Sequence, residues 1–177
     1  IVGGMANTLL KHSGRKIGNS ICESNCEDLI KEILANSKKY NCKITYPVDV
    51  VVSKSKESFG TNKDINDINE NDIILDIGKK TIAIIKEIID ESNTVLWNGP
   101  AGYFENPNFA IGSIKIAKKI IKNNKSNVIY SVAGGGDTVS LINSLNAINN
   151  FNFVSTAGGA FLEYLEGKEL PGIKALN

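Results

Sequence analysis

Residues 131–140 read SVAGGGDTVS: a short apolar run, three glycines, then Asp137-Thr138 where a helical pattern begins. An apolar run that passes through a glycine turn into a helix is the repeating corner of an α/β fold. Working outward, the same corner recurs. The periodicities predict a helix near Lys80–Asp90, a strand over Thr94–Trp97, a helix near Asn108–Lys122, a strand over Val128–Val132 and a helix from Asp137. FNFVST and GGAFLEYLEG repeat the unit, and IILDIG at 73–78 is a buried strand. Short continuous apolar strands separated by helices predict an α/β fold of three layers, a mainly parallel sheet with helices on both faces. Ligands bind such sheets at the carboxyl ends of the strands.

The front of the chain is less regular. A helix from about Cys26 to Tyr40 is expected to bury Leu29, Ile33 and Leu34. CKITYPVDVVV (42–52) reads as extended structure that Pro47 breaks or bends. The polar stretch 53–72 has neither period and is expected as a surface loop or a short hairpin. Ile1-Val2 ahead of the first glycines reads as the end of a strand whose front is missing, so a fragment is expected.

Composition narrows the classes. The chain has 177 residues, 42% hydrophobic, with 20 Lys and Arg against 19 Asp and Glu, enough for one substantial core. Near-neutral charge, with lysines interleaved among acids, argues against nucleic acid. No apolar stretch is long enough to span a bilayer, so no membrane partner is expected. Three cysteines, Cys22, Cys26 and Cys42, without a paired framework point to a reducing, cytoplasmic setting. With His12 the only histidine, a zinc site or a histidine dyad is not expected. Trp97 reads as core. Asp49 and Asp76 either orient a site or cap a neighbouring turn.

Four strand ends open the backbone: VGGMA (2–6), WNGPAGYFE (97–105), AGGGDT (133–138) and STAGGA (155–160). Glycine lets amide N–H groups approach an anion, and a helix N-terminus adds free donors and a favourable dipole. A lone turn of this kind more often serves packing, with Asp137 or Thr138 a plain N-cap; four in succession select phosphate. Asp137 would repel that phosphate unless a cation lay between them, a part Mg²⁺ fills. Neither G-x-x-x-x-G-K-[ST] nor G-x-G-x-x-G occurs, which removes the two commonest nucleotide motifs and leaves a nicotinamide-dependent dehydrogenase without its fingerprint.

In order and approximate spacing, GGMANT, YPVDVVV, LDIG, WNGPAGYFE, GGGDT and GGAFLEYLEGKELPG closely resemble phosphoglycerate kinase. The resemblance covers essentially all of residues 1–177 and corresponds to most of the family's carboxyl-terminal, Rossmann-like nucleotide-binding domain, bacterial in type. It implies phosphoryl transfer between 1,3-bisphosphoglycerate and ADP, giving 3-phosphoglycerate and ATP in glycolysis, with Mg²⁺ and a monomeric intact enzyme. It implies that Gly3 and Gly4 lie on the adenine and phosphate side, that Ile21 and Leu75 touch the base, and that Asn98 and Pro100 line the cleft. Glu105 would accept from the ribose hydroxyls. Gly135, Gly136 and Thr138 would donate to phosphates, Asp137 would face the metal, and Gly158 and Gly159, with Gly136, would serve the phosphoryl group in transfer.

Some positions depart from the commoner pattern: Val2, Ile74, Ala157 where glycine is frequent, Lys79 where proline is, and Phe161 where serine is. Ala157 and Phe161 match a bacterial variant; Ile74 and Lys79 bear on the base contact. The family's phosphoglycerate-binding domain and its GGAK lysines are not among these residues, so this chain alone is expected to bind nucleotide without turnover. The tail 167–177, with Pro171-Gly172 breaking the last helix, is expected to cross to that other domain. The competing reading is a non-catalytic nucleotide-binding module.

Overall fold

The computed structural model describes residues 1–176. They form two compact units, Ile1–Glu87 with Pro100–Ile116, and Ile88–Gly99 with the residues from Ala117 on.

The first unit opens with helix α1 (Gly3–His12), not with a strand end; Val2 is extended and pairs with no strand. Helix α2 (Glu27–Lys39) follows, starting on two acids and ending on two lysines, as the helix dipole favours. Its inward row is Ile30 and Leu34; Leu29 and Ile33 are exposed, against the expected face. The sequence offers two overlapping i,i+4 apolar rows, 29–33 and 30–34, and packing selects the second.

Strand β1 (Asp49–Ser53) starts just past the buried Pro47, so the expected run 42–52 is broken there, with strand only on its far side. β2 (Thr61–Asp64) folds back on β1 as a hairpin, and β3 (Ile73–Ile77) pairs with the other edge of β1. Both pairings are antiparallel. The expectation of one mainly parallel sheet therefore fails for these strands. Parallel neighbours need a crossover of a dozen or more residues, usually helical, and no helix separates β1, β2 and β3. The segment between β2 and β3 contributes to the core instead: Ile65 and Ile68 are buried with Leu10, Ile17, Val50 and Val52. Asp72 anchors its end, accepting from Lys54 Nζ at 2.8 Å, Lys63 Nζ at 2.7 Å and Asn69 N at 2.8 Å.

Two buried carboxylates fix where helices start. The Asp49 carboxylate accepts from the N–H groups of Lys80 (3.0 Å) and Thr81 (2.8 Å) in the first turn of α3 (Lys79–Asp90), from Thr81 Oγ1 (2.7 Å) and from Asn62 Nδ2 (3.0 Å). Asp76 accepts from Gly112 N at 2.7 Å, in the first turn of α4 (Ile111–Lys125), and from Ile77 N at 2.8 Å. The capping alternative describes both.

In the second unit, β4 (Thr94–Asn98), β5 (Tyr130–Gly134) and β6 (Phe153–Val154) form a parallel sheet in that order. α4 supplies the crossover from β4 to β5, and α5 (Gly136–Ser144) lies between β5 and β6. One face buries Trp97, Ser131 and Ala133, with Trp97 stacked on Phe151 at 6.4 Å between centroids. On the other face Leu96, Val132 and Phe153 stand in register, and Leu96, Tyr130 and Phe153 are exposed. The α/β class, the parallel sheet and its accompanying helices are as expected. Helix α6 (Gly159–Leu165) follows β6, and Pro171 opens a short helix α7 (Pro171–Lys174) at its first position instead of breaking one. Asn177, the end of the expected tail, lies outside the described residues.

Asp76 yields a testable pH dependence. Burial pushes its carboxyl up to about 6, against the opposing pull of the Gly112 and Ile77 N–H groups. A carboxyl whose folded pKa exceeds its unfolded value favours folding while protonated, so this contribution is full below about pH 4 and is lost as pH rises through about 6. In urea titrations between these values the native chain should lose stability relative to Asp76→Asn, which carries no charge at either end. Parallel curves would refute the assignment.

Candidate functional site

In the first unit, four of the residues expected around the base come together in two pairs. Gly3 has φ +64°, and a β-carbon there would sit 3.6 Å from Pro100 O; one on Gly4 would meet Ile21 Cδ1 at 3.3 Å. The segment carrying Ile21 is clamped to α1, because Asn7 Nδ2 donates to Ile21 O (3.0 Å) and Glu23 N donates to Thr8 Oγ1 (3.0 Å). Ile21 is 75% exposed, an apolar side chain held at the surface beside bare backbone. Leu75 differs: at 5% exposed its side chain belongs to the core.

Leu75 instead contributes through its backbone. Val51 pairs with Asp76 and Val52 with Ile74, so Leu75 is skipped by the β1–β3 register. Its carbonyl accepts from Tyr103 N at 2.7 Å, drawing the WNGPAGYFE loop onto the strand. Gly102 permits this approach, since a β-carbon there would lie 2.3 Å from Leu75 O. Ala101 N donates to the buried Ser113 Oγ at 2.8 Å, and Lys56 lies over the Tyr103 ring at 4.6 Å. Glu105 is exposed on this braced loop. A bulge leaves no mark in residue type, which is why the sequence did not reveal it.

In the second unit, Asn98, the GGGDT turn and the start of α6 meet. Gly99 has φ +94° and Gly135 φ +86°, values costly for a side-chain-bearing residue. A β-carbon on Gly135 would also lie 2.7 Å from Asn98 Oδ1. Thr138 is fully buried, and its hydroxyl accepts from Gly99 N at 2.7 Å, so it ties the two turns together. Gly136 and Asp137 remain exposed.

Helix α5 has no side-chain cap on Gly135. Its first intrahelical bond runs from Val139 N to Gly135 O (3.0 Å), so the N–H groups of Gly136, Asp137 and Thr138 precede the ladder. Gly136 and Gly159 have ordinary φ, and added β-carbons would meet nothing within 4 Å. Neither backbone strain nor internal packing demands glycine at these two positions. Gly158, at φ +57°, also faces open space. Such bare, donor-rich backbone suits an anion that must come close.

The family model for phosphoglycerate kinase matches residues 1–168. The chain belongs to the phosphoglycerate kinase family. It is 46% identical to the phosphoglycerate kinase of Zymomonas mobilis and 43% identical to that of Xanthobacter autotrophicus, in each case across 99% of this chain and 45% of the relative. The solved phosphoglycerate kinase of Coxiella burnetii superposes with a TM-score of 0.90 at 39% identity, over 99% of this chain and 45% of that one. The chain thus spans a little under half the length of these relatives. Among the described residues no helix is long and apolar enough to cross a membrane, and no three His, Cys, Asp or Glu residues cluster as a metal cage.

The Gly99–Thr138 bond and the Gly135 turn are testable. Thr138→Val should cost about 1–3 kcal/mol by stranding the Gly99 N–H, and Thr138→Ser should recover most of it. Gly135→Ala should cost roughly 1–2 kcal/mol from backbone strain alone. Urea unfolding midpoints measure all three, and an unchanged Thr138→Val midpoint would refute the tie.

Proposed function

We propose that these residues form the nucleotide-binding part of a phosphoglycerate kinase, which exchanges a phosphoryl group between 1,3-bisphosphoglycerate and ADP. The observation that carries the reading is the pair Gly136 and Gly159: glycines at helix starts, with open space where a side chain would be and no conformational need for the residue type. In this reading the N–H groups of Gly135, Gly136 and Thr138 hold nucleotide phosphates. The Thr138 hydroxyl braces Gly99, so its direct part falls to the backbone.

Gly3, Gly4, Ile21 and Pro100 would supply a partly apolar surface for a base, and Glu105 an acceptor for ribose hydroxyls. Leu75 shapes that surface through the loop it holds. Asn98 stands beside Gly135, where its amide helps orient the phosphate chain. Mg²⁺ fits the one exposed carboxylate at the turn, because this ion keeps several waters and takes the remaining ligands from phosphates. When bound it neutralises charge on the phosphates, and Asp137 holds it to the start of α5.

Phosphoryl transfer needs in-line positioning and charge stabilisation more than covalent help. Gly136, Gly158 and Gly159 would stabilise the phosphoryl group in passage. The phosphoglycerate, in this proposal, is held by a part of the family protein outside the region matched here, towards which the tail from 167 extends. The 177 residues alone are accordingly assigned binding without turnover, in a cytoplasmic, monomeric parent enzyme.

Calorimetric titration with ADP, with and without Mg²⁺, tests the reading. Mg²⁺ should strengthen binding, and Asp137→Asn should remove about tenfold of that gain, some 1.4 kcal/mol. Absence of binding by the folded chain would overturn the proposal, and ATP formation by the 177 residues alone would overturn the assignment of binding without turnover.

A further inference from the structure

The Phe161 ring, in the first turn of α6, lies against Gly134 of the GGGDT turn. A β-carbon on Gly134 would lie 2.7 Å from both Cδ1 and Cε1 of Phe161, so the ring occupies the space a side chain at 134 would need. Gly134 is the buried last residue of β5, and its φ is not positive. The close approach of the ring, not backbone conformation, is therefore what requires glycine there. Asn98 Oδ1 also lies near this position, 3.7 Å from the same hypothetical atom.

The seven residues of α6 begin on Gly158 without a side-chain cap, and Leu162, Tyr164 and Leu165 are exposed. A helix this short has no stability of its own. Phe161 stands in the first turn of α6, next to the Gly158-Gly159 amides, and its ring meets the space at Gly134.

We propose that Phe161 is a positioning residue: its ring fixes the Gly158-Gly159 backbone relative to Gly134–Thr138 before nucleotide arrives. This rests on the nucleotide reading above. Its particular consequence is discrimination between nucleotides. ADP engages the GGGDT turn, whereas the terminal phosphoryl group of ATP also needs the amides that α6 presents. Loosening α6 should therefore weaken ATP more than ADP.

The experiment combines hydrogen exchange with calorimetry on the whole chain, using Phe161→Ala, Phe161→Tyr, Gly134→Ala and the Gly134→Ala/Phe161→Ala double variant. Phe161→Ala should raise exchange at the amides of 158–165 about tenfold while leaving β4 and β5 protected. MgATP affinity should fall about fivefold with MgADP changed less than about twofold, and Phe161→Tyr should restore both. Gly134→Ala should reproduce the loss by displacing the ring, yet add nothing once the ring is gone, a coupling that a merely bulky mutation would not show. Unchanged exchange at 158–165, additive effects of the two substitutions, or equal losses for both nucleotides would overturn the proposal. If the folded native chain binds neither nucleotide, the nucleotide reading falls and the positioning role with it, while the exchange data still decide whether the ring seats the helix.

Discussion

The arrangement of the first unit depends on two buried carboxylates on adjacent antiparallel strands, each spent on the start of a different helix. Without a capping acceptor, the first N–H groups of α3 and α4 would face the interior unpaired. The cost of one such group is about 1–3 kcal/mol, comparable with a sizeable share of a small domain's net stability. Asp49 and Asp76 perform the same task, yet their carboxyls shift in opposite directions. Burial pushes both carboxyls up, but Asp49 gathers four donors from Thr81, Asn62 and Lys80, which bring it below its ordinary value. Asp76 has two and stays raised. The direction of each shift is set by how far burial outweighs the donors that face the carboxylate.

The same carboxylates explain the glycines around them. Atoms of Asp49 would lie within 2.5 Å of a β-carbon on Gly78, and Asp76 Oδ1 would lie 2.7 Å and 2.3 Å from β-carbons on Gly102 and Gly112. These three glycines make room for a capping group, whereas among the described residues nothing lies within 4 Å of a β-carbon on Gly136 or Gly159. That difference is visible only once the neighbours are placed.

The parallel β4–β5–β6 sheet and its helices were legible because each strand is a short apolar run and each helix keeps its period. The antiparallel β1–β3 sheet was less so. Pairing direction depends on the connection, and the segment 65–72 hides two core isoleucines in polar sequence. Of the site, the glycine turns and Asp137 could be read directly, whereas the buried hydroxyl of Thr138 and the core placement of Leu75 could not, since residue type does not fix burial. Asparagine, heavily used throughout, carries more structure than its abundance suggests. Among the described residues every non-glycine at positive φ is an asparagine, and Asn41, Asn127 and Asn146 follow the ends of α2, α4 and α5. There they stand where glycine is the usual choice.

The two sheets also differ in how far the chain must reach to close them. Val52 meets Thr61 across a short hairpin loop, whereas Thr94 meets Tyr130 only after the whole of α4 has been traversed. Loop closure is entropically cheap for the first contact and must precede any reward for the second. Order should therefore appear first around β1 and β2, with the strand ends that carry Asn98 and the GGGDT turn brought together late in folding.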